Sequence, residues 1–438
     1  MAPVGGWPQL YAAIGNGADS IYLGLSAFSA RARATNFDAF DDGPDGLRHA
    51  VEVCHQANVN VYVALNVLVF GHELHEVEDL VRQCAMVGVD ALIVQDLGVM
   101  KIAQEIVSNV AAATSKANNG DATVRKMMQV HASTQQTVTS SDGAAFSDDL
   151  GCSRIVLGRE LSIDEIRTVA NEVPDVELEA FVHGALCVSY SGQCFSSEFA
   201  GGRSANRGQC AQACRLPYGL IRDGELIDLQ DLSYLLSPQD LCGIDHVPQL
   251  IDANVHCLKI EGRLKDAAYV AATTRAYRNA VDEAWEDYCD KNSIYNRSIR
   301  RTLSNPNEVV TRSDLAQVFS RGQDETHDGL SSGFFEGSKH QTLVRGRSPR
   351  HRGIHVGKVV EDCYSKSGLV IQVDSNVDLK LGDGLVVDRA HAQEDELGGS
   401  IFEIQENGDG TSTIYFSSDI HRKWKKYDDN VRKGLEGS

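Results

Sequence analysis

The amino-acid sequence predicts an α/β protein: a TIM-type (β/α)8 barrel carrying a cysteine-rich insertion, followed by a small all-β domain. Three observations predict it. Short, near-continuous apolar runs alternate with helical patterns as far as Glu261. One interval in that alternation, between His183 and His256, holds five of the eleven cysteines. From Gly353 onward the pattern changes to short strands joined by Gly, Asp and Asn turns.

The first strand is expected at residues 1–4, cut short at its start. The others are expected at Ser20–Leu25, Asn60–Asn66, Ala91–Asp96, Met128–Ser133, Arg154–Glu160, Leu178–His183 and His256–Glu261. Apolar runs of this kind suit parallel strands buried on both faces. Between them, Leu74–Met86 is apolar at roughly 3.6-residue spacing, the mark of an amphipathic helix. Ser162 and Glu165 bracket the start of another helix as a capping box. An open doubly wound sheet is the alternative to the barrel. No Gly-rich phosphate loop follows the first strand, which counts against a dinucleotide-binding fold. The barrel takes residues 1–289, with its insertion at 184–255 and a helix at 267–288. Residues 290–352 are polar and read as a connector. Residues 353–438 read as a small β-barrel-like domain with strands at Ile354–Val360, Leu369–Val373, Gly384–Val387 and Thr413–Phe416 and a basic tail at His421–Lys426.

Hydrophobic residues make up 42% of the chain and charged residues 23%, the balance of a globular enzyme. No apolar stretch approaches the ~18 residues of a membrane span. Met1–Trp7 has neither the basic nor the apolar region of a secretory signal. The protein is therefore expected inside the cell, in the cytoplasm or an organelle, with no membrane partner. An odd number of cysteines argues against a disulfide framework and for metal-binding or catalytic thiols. The formal charge is −20, which disfavours a sequence-independent grip on long nucleic acid and leaves a local basic cleft as the route to one.

Cys187, Cys194, Cys210 and Cys214 follow the spacing Cys-x6-Cys-x15-Cys-x3-Cys, and Cys242 lies further on. Four soft thiolates match an iron–sulfur cluster, with Cys214 or Cys242 as the fourth. Zinc is the alternative metal, but structural zinc favours tight cysteine pairs in both halves, and only the second half is tight. Gly184, Gly192, Gly201, Gly202 and Gly208 let the backbone wrap closely and offer N–H groups to sulfur. The plainer reading is a set of ordinary thiols in a Gly-rich loop, which is how the six remaining cysteines are read.

Arg31 and Arg33 follow the second strand, where two guanidiniums suit a dicarboxylate or an RNA phosphate. Their plainer role is pairing with Asp38 and Asp41 at the surface. His131, Ser133 and Gln135 alternate and so share a face, as do Glu179 and His183. His183 is the candidate proton shuttle, because an ordinary imidazole titrates near neutrality. Lys259, Glu261 and Arg263 alternate on the last strand, and charged groups on a buried strand each need a partner. They read as a substrate clamp with internal ion pairs. A peptidase is the competing function, without a His-Glu-x-x-His or Gly-x-Ser-x-Gly motif to support it. A non-catalytic metal-stabilised scaffold is the third.

Residues 177–215 resemble the signature of the U32 family, long described as peptidases or collagenase-like proteins. Ala18–Gly24, Phe28–Arg33 with Asn36–Phe37, His131–Gln135, Leu258–Arg263, Phe319–Gly322 and Arg352–Gly357 resemble its other motifs. The chain looks most like the branch that hydroxylates ribosomal-RNA cytidine and tRNA uridine. The resemblance implies an oxygen-independent hydroxylation that depends on a [4Fe–4S] cluster, with prephenate as a small dicarboxylate co-substrate and RNA as partner. By the motif, Cys187, Cys194 and Cys210 carry over as ligands. Cys214 is the fourth and Cys242 its competitor. Val4 departs from the family, which has a small residue there, and the C-terminal part is shorter than in the ribosomal-RNA branch.

Overall fold

Runs of four to six apolar residues, too short for helices, become the strands of one large sheet. The computed structural model describes residues 1–416 except 33, 35–36, 38–45, 118–126, 263, 295–302, 304–308, 325, 339–341, 349, 364–367, 375–376 and 389–396. Strands β1 (Ala2–Pro3), β2 (Ser20–Gly24), β3 (Asn60–Leu65), β4 (Ala91–Val94), β5 (Gln129–Ala132), β6 (Arg154–Val156) and β7 (Glu177–Ala185) lie side by side in chain order, all parallel. The helices between them include α1 (Trp7–Gly15), α2 (Leu47–Gln56), α3 (Leu74–Val87), α4 (Leu97–Ala117), α5 (Ser141–Asp149) and α6 (Ile163–Glu172). The capping box of α6 forms: the Ser162 hydroxyl accepts from the Glu165 N–H at 3.3 Å, and the Glu165 carboxylate accepts from the Ser162 N–H at 2.8 Å.

After β7 the chain enters the insertion. It holds the short helix α7 (Ser196–Gly201), an exposed hairpin of β8 (Leu220–Arg222) and β9 (Glu225–Ile227), and β10 (Asp240–Cys242). Helix α8 (Val247–Asp252) leads to β11 (Val255–Ile260), which runs parallel to β7. The α-amino group of Met1 donates to the Leu258 carbonyl at 2.7 Å, and the Ile260 N–H donates to the Met1 carbonyl at 3.1 Å. The start of the chain is thus hydrogen-bonded to β11. Helix α9 (Ala267–Lys291) follows, and its Tyr277 hydroxyl donates to the Val182 carbonyl.

The structure departs from the sequence expectations in four places. The strand expected at Arg154–Glu160 stops at Val156, so Arg159 and Glu160 sit on the loop beyond it. β10 pairs antiparallel with the end of β7, so the sheet is mostly rather than wholly parallel. The stretch 290–352 is more than a connector: it holds α10 (Arg312–Val318) and β12 (Leu330–Ser331), and β12 joins the large sheet beside β10. The C-terminal region is a separate antiparallel sheet in the order β13 (Gly357–Cys363), β14 (Gly368–Val373), β17 (Ser412–Phe416), β16 (Leu397–Glu406) and β15 (Gly384–Val387). Its first strand starts three residues later than expected, β16 is an added strand, and the basic tail lies outside the described residues. Among the described residues no helix is long and apolar enough to cross a membrane.

Candidate active site

The insertion is fastened across the C-terminal ends of several strands of the large sheet. The Glu160 carboxylate accepts from the Ser191 N–H at 2.6 Å and from its hydroxyl at 3.0 Å. The Thr137 hydroxyl donates to the Ser191 carbonyl at 2.6 Å. Arg207 donates to the Leu68 carbonyl and to the Glu73 carboxylate, which ties the insertion to the loop after β3. Two glycines permit the close approach. A Cβ on Gly192 (φ +74°) would stand 2.2 Å from the Gln135 carbonyl oxygen, and one on Gly208 (φ +77°) 2.6 Å from that of Ser29. Gln135 therefore belongs to the turn after β5 on which the cysteine loop rests.

Beneath the insertion the sheet interior is charged. Glu179 is fully buried, and Lys259 donates to it at 2.8 Å. Arg154 reaches the same carboxylate at 3.5 Å and Glu177 at 2.5 Å. Burial alone would raise the Glu179 pKa, but Lys259, Arg154 and His131 together hold it below the usual carboxylate range. The Lys259 ammonium also lies 4.5 Å from the Tyr22 ring centre and 5.1 Å from that of Phe181. Arg31, itself buried, covers Tyr22 at 4.6 Å, and Arg159 covers Phe181 at 3.9 Å. Arg159 then pairs with Glu261 at 3.1 Å and donates to the Ala185 carbonyl. A continuous line of cations and rings thus runs from Arg154 to the base of the cysteine loop. His131 is buried in this wall, edge-on to Tyr62 at 5.0 Å.

In the insertion, Cys214 feels Cys210 and Cys194 and itself acts on Cys187. Burial raises its pKa, Arg215 lowers it, and Cys210 and Cys194 raise it further. Cys187 is exposed as a residue, yet protein crowds its thiol. That burial raises its pKa, Arg159 opposes the rise, and Cys214 adds to it. Cys194 is the exception. Burial raises its pKa, but the hydroxyls of Ser196 and Ser189 and the N–H groups of Ser196 and Ser197 donate to its sulfur and lower it overall. The Gln212 N–H donates to the Cys210 sulfur at 3.4 Å. Four neighbouring thiols with N–H donors to sulfur fit, in donor chemistry, a thiolate-held group. Among the described residues no three His, Cys, Asp or Glu side chains stand at the spacing that encloses a metal ion. Cys242 lies apart. It is buried on β10 with Ala276, Leu315 and Leu330, and its sulfur lies 4.0 Å from the Tyr277 hydroxyl oxygen.

The structure corrects two expectations. Glu179 and His183 do not share a face. Lys259 and Ile260, consecutive on β11, pair with Phe181 and His183, so Val182 bulges and the alternation inverts beyond it. Glu179 consequently meets Lys259, whereas the His183 ring packs 5.5 Å from Tyr277 and 5.9 Å from Tyr269 of α9. Nor does His183 titrate near neutrality: burial pushes its pKa from 6.5 down to about 3, with Arg312 and Lys265 acting in the same direction. Between those values the unfolded chain takes up a proton that the folded one refuses. Its contribution to stability is therefore full above 6.5 and is lost as pH falls toward about 3, by up to about 1.4 kcal/mol per pH unit. Thermal midpoints of the parent and a His183→Gln variant are expected to draw together on acidification from about pH 7.5 to about pH 5. An unchanged gap would remove His183 as the acid-sensitive group.

Glu261 lies just past the end of β11, and Arg33 and Arg263 lie outside the described residues. Sequence reasoning missed Arg154 as the second partner of Glu179, although an arginine opening a buried strand signals an internal ion pair. It also missed Arg215, which donates to the carbonyls of Leu186 and Pro238, and the pair of half-buried Arg321 with buried Asp240 at 2.6 Å.

The model of peptidase family U32 matches residues 5–121 and 122–345. An uncharacterized protease of Methanocaldococcus jannaschii is 34% identical over 395 residues, covering 88% of this chain and 86% of that one. The 23S rRNA 5-hydroxycytidine synthase of Escherichia coli is 35% identical over 376 residues, 86% of this chain but only 50% of that enzyme. A tRNA hydroxylation protein of Bacillus subtilis is 29% identical over 384 residues, 86% of this chain and 78% of that one.

Proposed function

The chain belongs to peptidase family U32, a family of enzymes, and we propose that it hydroxylates an RNA base, a ribosomal-RNA cytidine or a tRNA uridine, without molecular oxygen and with a [4Fe–4S] cluster. The observation that carries this reading is the four-cysteine insertion fastened over a charged sheet interior. The names of the RNA-modifying relatives support the substrate class. Cys187, Cys194, Cys210 and Cys214 would hold the cluster, which when bound supplies single-electron transfer. The parallel strands are read as a closed (β/α)8 barrel, on the strength of the hydrogen bonds that join Met1 to Leu258 and Ile260.

The chain's own residues then have distinct parts. Glu179 stays ionised and holds Lys259 in place. Arg31 and Lys259 flank Tyr22 and direct positive charge into the interior, suited to a phosphate of a flipped-out nucleotide or to a small dicarboxylate such as prephenate. By the motif, Arg33 and Arg263 belong to the same substrate-binding set. Glu261 fixes Arg159 beside Cys187. His131 and Gln135 shape the wall and the turn under the cysteines.

The protease name of one relative raises hydrolysis as the alternative. A cysteine or serine nucleophile needs a base that titrates near neutrality, and His183 is pushed far below that range. The test is anaerobic incubation of the purified protein with bulk RNA and prephenate, with and without an added chemical electron acceptor to take the two electrons that conversion of a base C–H to C–OH releases, followed by mass analysis of the nucleosides. The expected product is a cytidine or uridine heavier by one oxygen atom. Unmodified RNA together with cleavage of gelatin would replace this reading with the hydrolytic one.

A further inference from the structure

We propose that Tyr190, Phe195 and Phe199 form a stacking platform for unpaired nucleotides of an RNA, on the rim of the cysteine loop. The inference rests on the reading of the chain as an RNA-acting enzyme and specifies which form of RNA it grips and where. The three rings fall within ten residues that enclose Cys194, and all are largely exposed. Phe199 is 96% exposed, so it contributes almost nothing to folding. Phe195 caps α7 and accepts from the Phe199 N–H at 3.0 Å, and this one-turn spacing puts both rings on one side of the helix. Tyr190 sits across the adjoining turn, where its carbonyl accepts from the Gln193 N–H. On the neighbouring loop Phe70 is also exposed. It stacks on His72 with ring planes 11° apart and is covered by Arg207 at 4.5 Å.

Charge selects the occupant. The chain carries −20, yet from Cys187 to Arg215 there are three arginines, Arg203, Arg207 and Arg215, against one acid, Glu198, and the rim stays net positive when Glu73, the partner of Arg207, is counted with it. Exposed rings set among arginines in an otherwise acidic protein suit a polyanion with accessible π faces. A duplex buries those faces in its own stack, so unpaired nucleotides are the fitting form. A second copy of this chain is the poorer occupant, because a two-fold contact through the patch would set arginines against arginines.

The test uses a fluorescein-labelled single-stranded RNA 12-mer, and the same strand annealed to its complement, titrated with the full-length protein. The parent should bind the single strand more tightly than the duplex. Phe199→Ala should weaken single-strand binding by about 5- to 150-fold, the range for loss of one base–ring stack. Tyr190→Ala should act similarly, with iron content and thermal midpoint unchanged in both variants. Phe199→Tyr should restore binding, whereas Phe199→Leu, which keeps apolar area without a ring, should not. Full binding by Phe199→Ala and Tyr190→Ala, or by Phe199→Leu, overturns the platform and leaves the hydroxylase reading standing. A parent that binds neither RNA overturns both. A parent dimer that Phe199→Ala converts to monomers with RNA binding intact overturns the platform in favour of a contact between copies.

Discussion

Protein purified without oxygen is expected to lose its iron and acid-labile sulfide, and all nucleoside hydroxylation, when Cys187, Cys194, Cys210 or Cys214 is singly replaced by alanine. A cubane needs a thiolate at each of four corners, and removal of one leaves an iron open to solvent and to loss. The four are neighbours on a loop that is anchored independently of any metal, through Glu160 to Ser191 and Glu73 to Arg207. The alanine variants should therefore fold, with loss confined to the cluster and its visible absorbance. Cys242→Ala is the control. Its sulfur is packed in an apolar pocket against Tyr277, so the variant should keep full iron and lose only the stability of a small cavity. Full iron in Cys214→Ala with loss in Cys242→Ala would exchange the two assignments. A colourless parent that releases zinc would replace the cluster with a structural metal site.

The sequence exposed most of the parallel core because its strands are short apolar runs buried from both sides. Ser20–Gly24 and Ala91–Val94 are buried at every position, and no helix pattern competes over so few residues. The cysteines were equally legible, since their spacing and glycines are local features. What stayed hidden depends on distant partners. β10 is only three residues long and owes its existence to β7 on one side and to β12, some way along the chain, on the other. Three residues have no periodicity to read. The bulge at Val182 is likewise a property of the β7–β11 pairing, and it alone turns His183 away from the interior that its spacing from Glu179 implies. The choice of Lys259 and Arg154 as partners of Glu179 comes from the register of three strands, which the sequence expresses only as charged residues in apolar company.

Glu179→Gln and Lys259→Met are each expected to destabilise the fold by about 3–5 kcal/mol, the usual result of leaving one member of a buried ion pair without its partner. The two are not equivalent. Loss of Lys259 leaves Glu179 with Arg154 at 3.5 Å as its ion-pair partner, whereas loss of the Glu179 charge leaves Lys259 buried between the Tyr22 and Phe181 rings with no carboxylate bonded to it among the described residues. Rings stabilise a cation by less than a carboxylate does, so Glu179→Gln should be the more damaging of the two. The double variant Glu179→Gln/Lys259→Met removes both charges and should recover much of the stability, because a neutral pair of similar volume avoids the cost of desolvating ions. Urea unfolding of the parent, both single variants and the double variant measures this coupling directly. Activity separates a structural pair from a functional one. If Lys259 directs charge toward a phosphate or carboxylate, the double variant should be stable, carry normal iron and still fail to hydroxylate RNA. A double variant that is both stable and fully active would make the pair a packing feature and remove Lys259 and Glu179 from the substrate site.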